Sequence, residues 1–227
     1  DHLPDDLFIS PGTKAPNRMG FSKYASYINT LTEQKYGRPL ILAMSADLSD
    51  STNISGFAKG YGGARDKGFY EKKSNKKSPL FPQGITEFTN AGMMAGAATV
   101  NFSAKPYESF SGFYGAVSTY GSFSYLKYGP LRLFSQLAQD SELKVGKIIW
   151  VVGHSGPETA EDSRTHYGIF APGVTQLFPN GSIINIHPWE HNEVAPSLTA
   201  ALKTDVPIVA IHLTRPSIVK FRLSFVN

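Results

Sequence analysis

The sequence predicts an α/β protein with a mainly parallel β-sheet flanked by helices on both faces, and three observations carry this. Short Ile- and Val-rich runs at Lys147–Val152, Ile183–Ile186 and Ile208–Leu213 read as strands buried on both faces. A helical stretch from Glu190 to Leu202 separates the last two, and strand–helix–strand order is the mark of a parallel sheet with crossover helices. An earlier apolar run, Ile41–Met44, is bounded by Pro39 and Ser45 and reads as another buried strand.

In chain order, residues 1–17 read as an irregular arm, and a helical pattern follows from Met19 to Tyr36. Residues 48–82 read as a long loop region. Thr86 is placed to cap a helix through AGMMAGAATV, whose small residues suit close packing. Lys105–Tyr107 is expected to be a short strand, followed by a long aromatic helix-like stretch to Gln136 that Gly129-Pro130 breaks or kinks.

At 227 residues the chain is long enough to bury a substantial core without staples. Apolar content of 41% with 18% charged residues excludes the disordered classes. The absence of cysteine excludes a disulfide framework and thiolate metal sites and points to a cytoplasmic protein. No apolar run has the roughly 20 residues a membrane helix needs, and the acidic DHLPDDLF does not read as a signal peptide. Much of the net charge of +4 lies in ARDKGFYEKKSNKK, residues 64–77. Its Gly, Ser and Asn punctuation and lack of helical periodicity favour a solvated loop over a nucleic-acid surface.

Candidate chemistry concentrates in a few places. HSGPETAEDSRTHYGIF, residues 154–170, follows the strand KIIWVV and so lies at the carboxyl end of a strand, where ligands of parallel sheets gather. Its His154, Asp162 and His166 suit a metal or a hydroxylated or phosphorylated ligand, while the G-x-S-x-G nucleophile pattern is absent. HPWEH, residues 187–191, matches the H-x-x-E-H zinc pattern, but Pro188 suits the first turn of a new helix and leaves His187 outside it. Glu87 opens a Gly/Ala-rich helix, where a lone acid is commonly a favourable partner of the helix N-terminus.

Separated stretches in order resemble the central, pyrimidine-binding domain of transketolases. SADLSDSTN (45–53) resembles S-A-D-L-x-P-S-N, and GITEFTNAGMMAG (84–96) resembles G-V-R-E-F/H-x-M-x-x-x-x-x-G. GHSGPETAEDSRTH (153–166) resembles T-H-D-S-I-G-x-G-E-D-G-P-T-H without a gap. PNGSIINIHPWEHNEV (179–194) and PIVAIHLTRPSI resemble P-N-x-x-x-x-R-P-x-D-x-x-E-V and the strand ending in S-R-Q-N-L.

The resemblance implies a thiamine diphosphate pyrimidine-binding fold and roles for individual residues. Glu87 would hydrogen-bond the aminopyrimidine ring and share its proton, while the cofactor supplies the carbanion chemistry. Counted from Glu87 without gaps, the family's two pocket phenylalanines fall on Phe110 and Phe113; anchoring on S-T-Y-G-S-F gives Tyr120 and Phe123 instead, at the cost of an insertion. The ungapped choice is preferred. Asp162 and His166 match groups facing the ketose hydroxyls near the cleaved bond, and Arg18, Ser51, His154 and Arg215 match a sugar-phosphate site. These roles make Glu87, His166 and Asp162 the catalytic candidates, Glu87, Phe110 and Phe113 the cofactor contacts, and Arg18, Ser51, His154, Asp162, His166 and Arg215 the substrate contacts. No metal ligand is assigned.

Departures from the family pattern are Ser155, Ser163, Arg164, Tyr167 and His187, which bear on substrate choice. No G-D-G motif for magnesium and diphosphate is present, so residues 1–227 are expected to be a single domain of a larger enzyme, with a Mg or Ca ion on another domain. The expected function of the full protein is transfer of a two-carbon ketol unit between phosphosugars in a homodimer, where the partner subunit's diphosphate domain completes the site. The isolated chain is expected to be inactive, with no nucleic-acid or membrane partner. The alternatives are a 1-deoxyxylulose-5-phosphate synthase-like thiamine enzyme, which T-H-Y-G-I-F resembles, or a non-catalytic transketolase-like interaction module.

Overall fold

The computed structural model describes residues 2–46, 48–62, 68–166 and 171–220. Its centre is a six-stranded, all-parallel sheet formed by β2 (Ile41–Ser45), β3 (Leu80–Phe81), β4 (Tyr114–Tyr120), β5 (Ile148–Gly153), β6 (Ile183–Ile186) and β7 (Ile208–His212), in spatial order β3-β2-β4-β5-β7-β6. Helices α1 (Asn17–Tyr36) and α5 (His191–Lys203) cover one face, together with a short 3₁₀ segment at Ile54–Ala58. Helices α2 (Glu87–Thr99) and α3 (Tyr128–Asp140) cover the other. The short helix α4 (Ala171–Thr175) lies between β5 and β6.

The Ile/Val runs form strands because β-branched side chains suit a pleat covered on both sides. Ile148–Gly153 and Ile208–His212 are buried at every position. Ile183–Ile186 differs: it is the edge strand β6 and is only partly covered, which corrects the expectation of two buried faces. Ile41–Ser45 and the helices at 17–36 and 191–203 lie within a residue or two of their expected bounds.

Helix α1 ends where Gly37 adopts φ 69° and donates its N–H to Glu33 O, a left-handed cap that a side chain would strain. Its Gly20 allows α1 to lie against α5, since a Cβ there would sit 2.6 Å from His191 O. The same helix is tied to the sheet by Asn29, which is buried. Its amide donates to Ile41 O (2.9 Å) and Phe57 O (3.0 Å) and its oxygen accepts from Ile41 N (2.9 Å).

Residues 100–140 depart from expectation. Lys105–Tyr107 is a turn rather than a strand. Asn101 organises it, donating to Pro106 O, Ser109 O and Lys144 O and accepting from the amides of Ser103 and Ser111. The aromatic stretch is not one broken helix but β4, a 3₁₀ segment at Gly121–Lys127 and then α3. Gly115–Thr119 is small or β-branched and fully buried, and this core environment selects strand. Pro130 lies in the first turn of α3, so it starts the helix instead of interrupting it.

The arm docks against the body. Leu7 enters the core, Ile9 pairs through both its backbone polar groups with Asn192, and β1 (Lys14–Ala15) pairs antiparallel with β8 (Ile218–Val219). Lys220 reaches Glu190 at 2.6 Å across this region. The long loop expected at 48–82 contains β3 and the 3₁₀ segment, and Lys72, Lys73, Lys76 and Lys77 of the basic run are exposed. Asp47 and residues 64–67 and 167–170, singled out in the sequence, lie outside the described residues. Among the described residues no helix is long and apolar enough to cross a membrane.

Asn29→Ala is expected to lower the unfolding free energy by about 2–3 kcal/mol, because it strands a buried amide and two carbonyls. Urea denaturation measures this, and a loss under about 0.5 kcal/mol would refute the pinning role of Asn29.

Candidate active site

The chain leaves β2 toward the face holding the 3₁₀ segment at Ile54–Ala58, and leaves β4 toward the face holding α3. Connections that part to opposite faces open a crevice beyond the carboxyl ends of the two strands, the usual ligand position of such sheets. Most of the candidate residues meet here.

His154 follows β5 directly and is buried, with φ 54° in the left-handed region. A non-glycine residue held there is strained, and its surroundings must hold it in place. Its Nε2 lies 3.0 Å from Ser51 Oγ, and Ser51 Oγ lies 3.4 Å from Tyr120 Oη. The Tyr120 ring packs on the imidazole at 4.5 Å between centroids. Burial, reinforced by the charges of Arg215 and Arg18, pushes the His154 pKa down to about 4. The ring is therefore neutral at pH 7, and among the described residues its buried Nδ1 has no hydrogen-bond partner.

Two guanidiniums flank this histidine. Arg18, from the first turn of α1, donates to Ser51 O at 2.9 Å and leaves a buried Nε without a partner among the described residues. Burial and the charge of Arg215 lower its pKa. Arg215, just beyond β7, grips Asp162 with both ends of its fork, at 3.1 and 2.6 Å. Glu158 completes the hold: its Oε1 accepts from the Arg215 amide and its carbonyl accepts from Nη2. The Arg215 hydrogen bonds hold the Asp162 carboxyl below its ordinary pKa. His166 sits beside Tyr120 and Phe123, with centroids at 5.1 and 5.4 Å, and its Nδ1 lies 3.1 Å from Thr165 Oγ1.

Glu87 is the first residue of α2 and is buried. Its Oε1 accepts from Thr119 Oγ1 at 2.9 Å, one residue before Tyr120 on β4. Thr86 is the N-cap residue, but its hydroxyl bonds Asn90 Oδ1 and Gly84 O and makes no capping bond.

Phe110 and Phe113 are not part of this cluster. They precede β4 and lie at its amino end, roughly 20 Å from Thr119 by strand geometry. Phe110 stacks on Tyr114, while Phe113 meets Phe102 edge-on and carries the Arg38 guanidinium 4.5 Å above its ring. The Asn101-organised excursion lengthens the path from α2 to β4, so an ungapped count from Glu87 stops short. The aromatics at the carboxyl end are Tyr120 and Phe123, the register that needs an insertion.

Thr119 and Glu158 lie within motifs quoted from the sequence but were given no role there; only the fold gives them partners. In HPWEH, His187 lies outside α5 and stacks on His212 at 4.0 Å, while His191 begins the helix. Among the described residues no cluster of His, Cys, Asp or Glu is arranged to hold a metal ion. Ser163 bonds Thr165, and Arg164 is exposed.

The His154 pKa is depressed relative to the unfolded chain, so acid favours the unfolded form, which takes the proton that the folded form refuses. Stability is expected to fall as pH drops from 6.5 toward about 4, with no further contribution from this group below that. His154→Gln should flatten that part of the pH–stability curve; an unchanged slope, or an NMR midpoint near 6.5, would contradict the burial argument.

The family model described as "Transketolase, pyrimidine binding domain" matches residues 25–219. A search of curated proteins returned no match. Among solved structures, transketolase from Campylobacter jejuni superposes with a TM-score of 0.67 at 16% identity, over 98% of this chain and 29% of that one. Transketolase from Leishmania mexicana gives 0.65 at 16% identity, over 93% and 26%. A split-gene transketolase, described as an inactive beta4 tetramer, gives 0.52 at 19% identity, over 90% and 53%. The chain thus spans less than a third of the Campylobacter and Leishmania proteins, and these likenesses speak to its fold. With the family model matching residues 25–219, the chain belongs to the transketolase pyrimidine-binding domain family.

Proposed function

We propose that this chain is the pyrimidine-binding part of a larger thiamine-diphosphate-dependent transketolase that moves a two-carbon ketol unit between phosphosugars in the cytoplasm. The observation that carries the reading is Glu87: a buried acid at a helix start, oriented by Thr119 at the mouth of the crevice. The surroundings suit the cofactor's pyrimidine half. The Glu87 carboxylate is fixed through one oxygen by Thr119 on the strand that ends in Tyr120, with Phe123 beyond, and both rings are half-buried.

When bound, thiamine diphosphate supplies the carbanion chemistry at its thiazolium ring. Glu87 shares a proton with the pyrimidine nitrogen, and Thr119 holds the carboxylate in line for it. Tyr120 and Phe123 exclude water from the ring in place of Phe110 and Phe113. Arg18, Arg215 and Ser51 hold the sugar phosphate, with a neutral His154 adding a hydrogen bond. Asp162 keeps the Arg215 fork oriented, and with His166 it faces the sugar hydroxyls.

The diphosphate and its Mg or Ca ion would be held by another domain, supplied by a partner subunit in a homodimer. The exposed apolar side chains of α2 and α3, Phe88, Met93, Leu133 and Leu137, suit such an interface. The chain alone would then not turn over.

In the full-length protein, Glu87→Gln should reduce turnover of xylulose 5-phosphate with ribose 5-phosphate at least about 100-fold. Unchanged turnover, or absence of ketol transfer in the parent, would favour the interaction-module reading. Turnover of pyruvate in place of the ketose phosphate would favour a deoxyxylulose phosphate synthase-like enzyme. Arg215→Ala is expected to raise KM for the phosphorylated ketose at least about tenfold, with a smaller change in kcat. An unaltered KM would remove Arg215 from the phosphate site.

A further inference from the structure

Lys127 closes the 3₁₀ segment after β4 and is completely buried. Among the described residues no carboxylate lies within ion-pair distance of it. Its Nζ donates to Val117 O on β4 at 3.2 Å and to Val151 O on β5 at 2.9 Å, and lies 5.5 Å from the centroid of the Trp150 ring. Carbonyls and an aromatic face accept a cation, but an ammonium this deep remains costly, and a methionine would fill the space without that penalty. Costly buried charges concentrate where chemistry needs them.

The strand brings Lys127 close to Glu87. Val117 and Thr119 are two residues apart on β4, about 7 Å along it, and their side chains share the α2 face. Lys127 holds the carbonyl of the first, and Glu87 holds the hydroxyl of the second. We propose that Lys127 is a positioning residue for Glu87: its buried ammonium is the counter-charge that holds the carboxylate on Thr119 and draws a proton shared with a bound pyrimidine toward the ring. This rests on the thiamine diphosphate reading above.

The electrostatics of Lys127 agree with the geometry. Burial lowers the Lys127 pKa well below the ordinary lysine value, and Glu87 on α2 pushes it back up. His212 on β7 also faces it; burial, then His187 stacked upon it and the charge of Lys127, lower the His212 pKa to about 3, so that ring is neutral.

The test uses the chain labelled with ¹³C at lysine Cε, the Lys127 signal being assigned by its loss in Lys127→Met. Glu87→Gln is expected to lower the Lys127 titration midpoint by about one pH unit. In the full-length protein loaded with thiamine diphosphate, Lys127→Met should shift the pH at which circular dichroism passes between the amino- and iminopyrimidine forms by at least about half a unit. A purely structural peg would move neither, and Lys127→Met should melt no lower than the parent. A Lys127 midpoint that Glu87→Gln leaves in place, or an unmoved dichroism transition, would overturn the proposal. If Lys127→Met fails to fold, Lys127→Gln takes its place, and the Glu87→Gln titration still decides the coupling with Lys127 present. A parent that binds no thiamine diphosphate would instead overturn the cofactor reading, while the titration reports the Lys127–Glu87 coupling separately.

Discussion

Strand β4 is hydrogen-bonded on both sides, to β2 and β5, and covered on both faces by helices, so Gly115–Thr119 has no contact with water. An interior of this kind tolerates polar groups only where they are paired. Apart from the Ser118 hydroxyl, which is buried without a partner among the described residues, the polar side chains of β4 lie at its carboxyl end, where Thr119 and Tyr120 have partners beyond the sheet. Glu87 approaches from α2 on one face, and Ser51 from the loop after β2 on the other. The candidate site exists because β4 ends between connections that leave in opposite directions.

Charge is distributed unevenly at this end. Arg18 and Arg215 lie close enough for the charge of one to lower the pKa of the other, and both depress that of His154. Asp162 and Glu158 offset part of this by holding Arg215. The buried Arg18 Nε and His154 Nδ1, unpartnered among the described residues, are donor-capable atoms in a cationic setting, an arrangement suited to an anion. Strained backbone at His154 fits the same pattern, since φ/ψ outliers cluster where a side chain must be aimed and not merely packed.

Much of the architecture was legible in the chain itself. Runs such as KIIWVV and PIVAIHL are too apolar for a sheet with a solvated face, and their alternation with helical segments leaves few topologies. The stretch from Asn101 to Lys127 was not legible. Aromatic and small residues there carry no period that separates strand from helix, and burial between β2 and β5 decided the matter. The separation of Phe110 and Phe113 from the cluster has the same origin: an excursion folded around one asparagine changes the distance along the chain between two fixed parts of the fold.

By itself the sequence determined the fold class and the principal strands of the sheet, because periodicity is a local property, while the family resemblance singled out the polar residues Arg18, Ser51, His154, Asp162, His166 and Arg215. Only the tertiary structure decided that Tyr120 and Phe123 stand at the carboxyl end, that Arg215 is locked to Asp162, and that Lys127 lies buried with its ammonium on Val117 O and Val151 O. These are relations between residues far apart in the chain. Burial, charge and hydrogen bonding acquire values only once the strands have paired and water has been excluded.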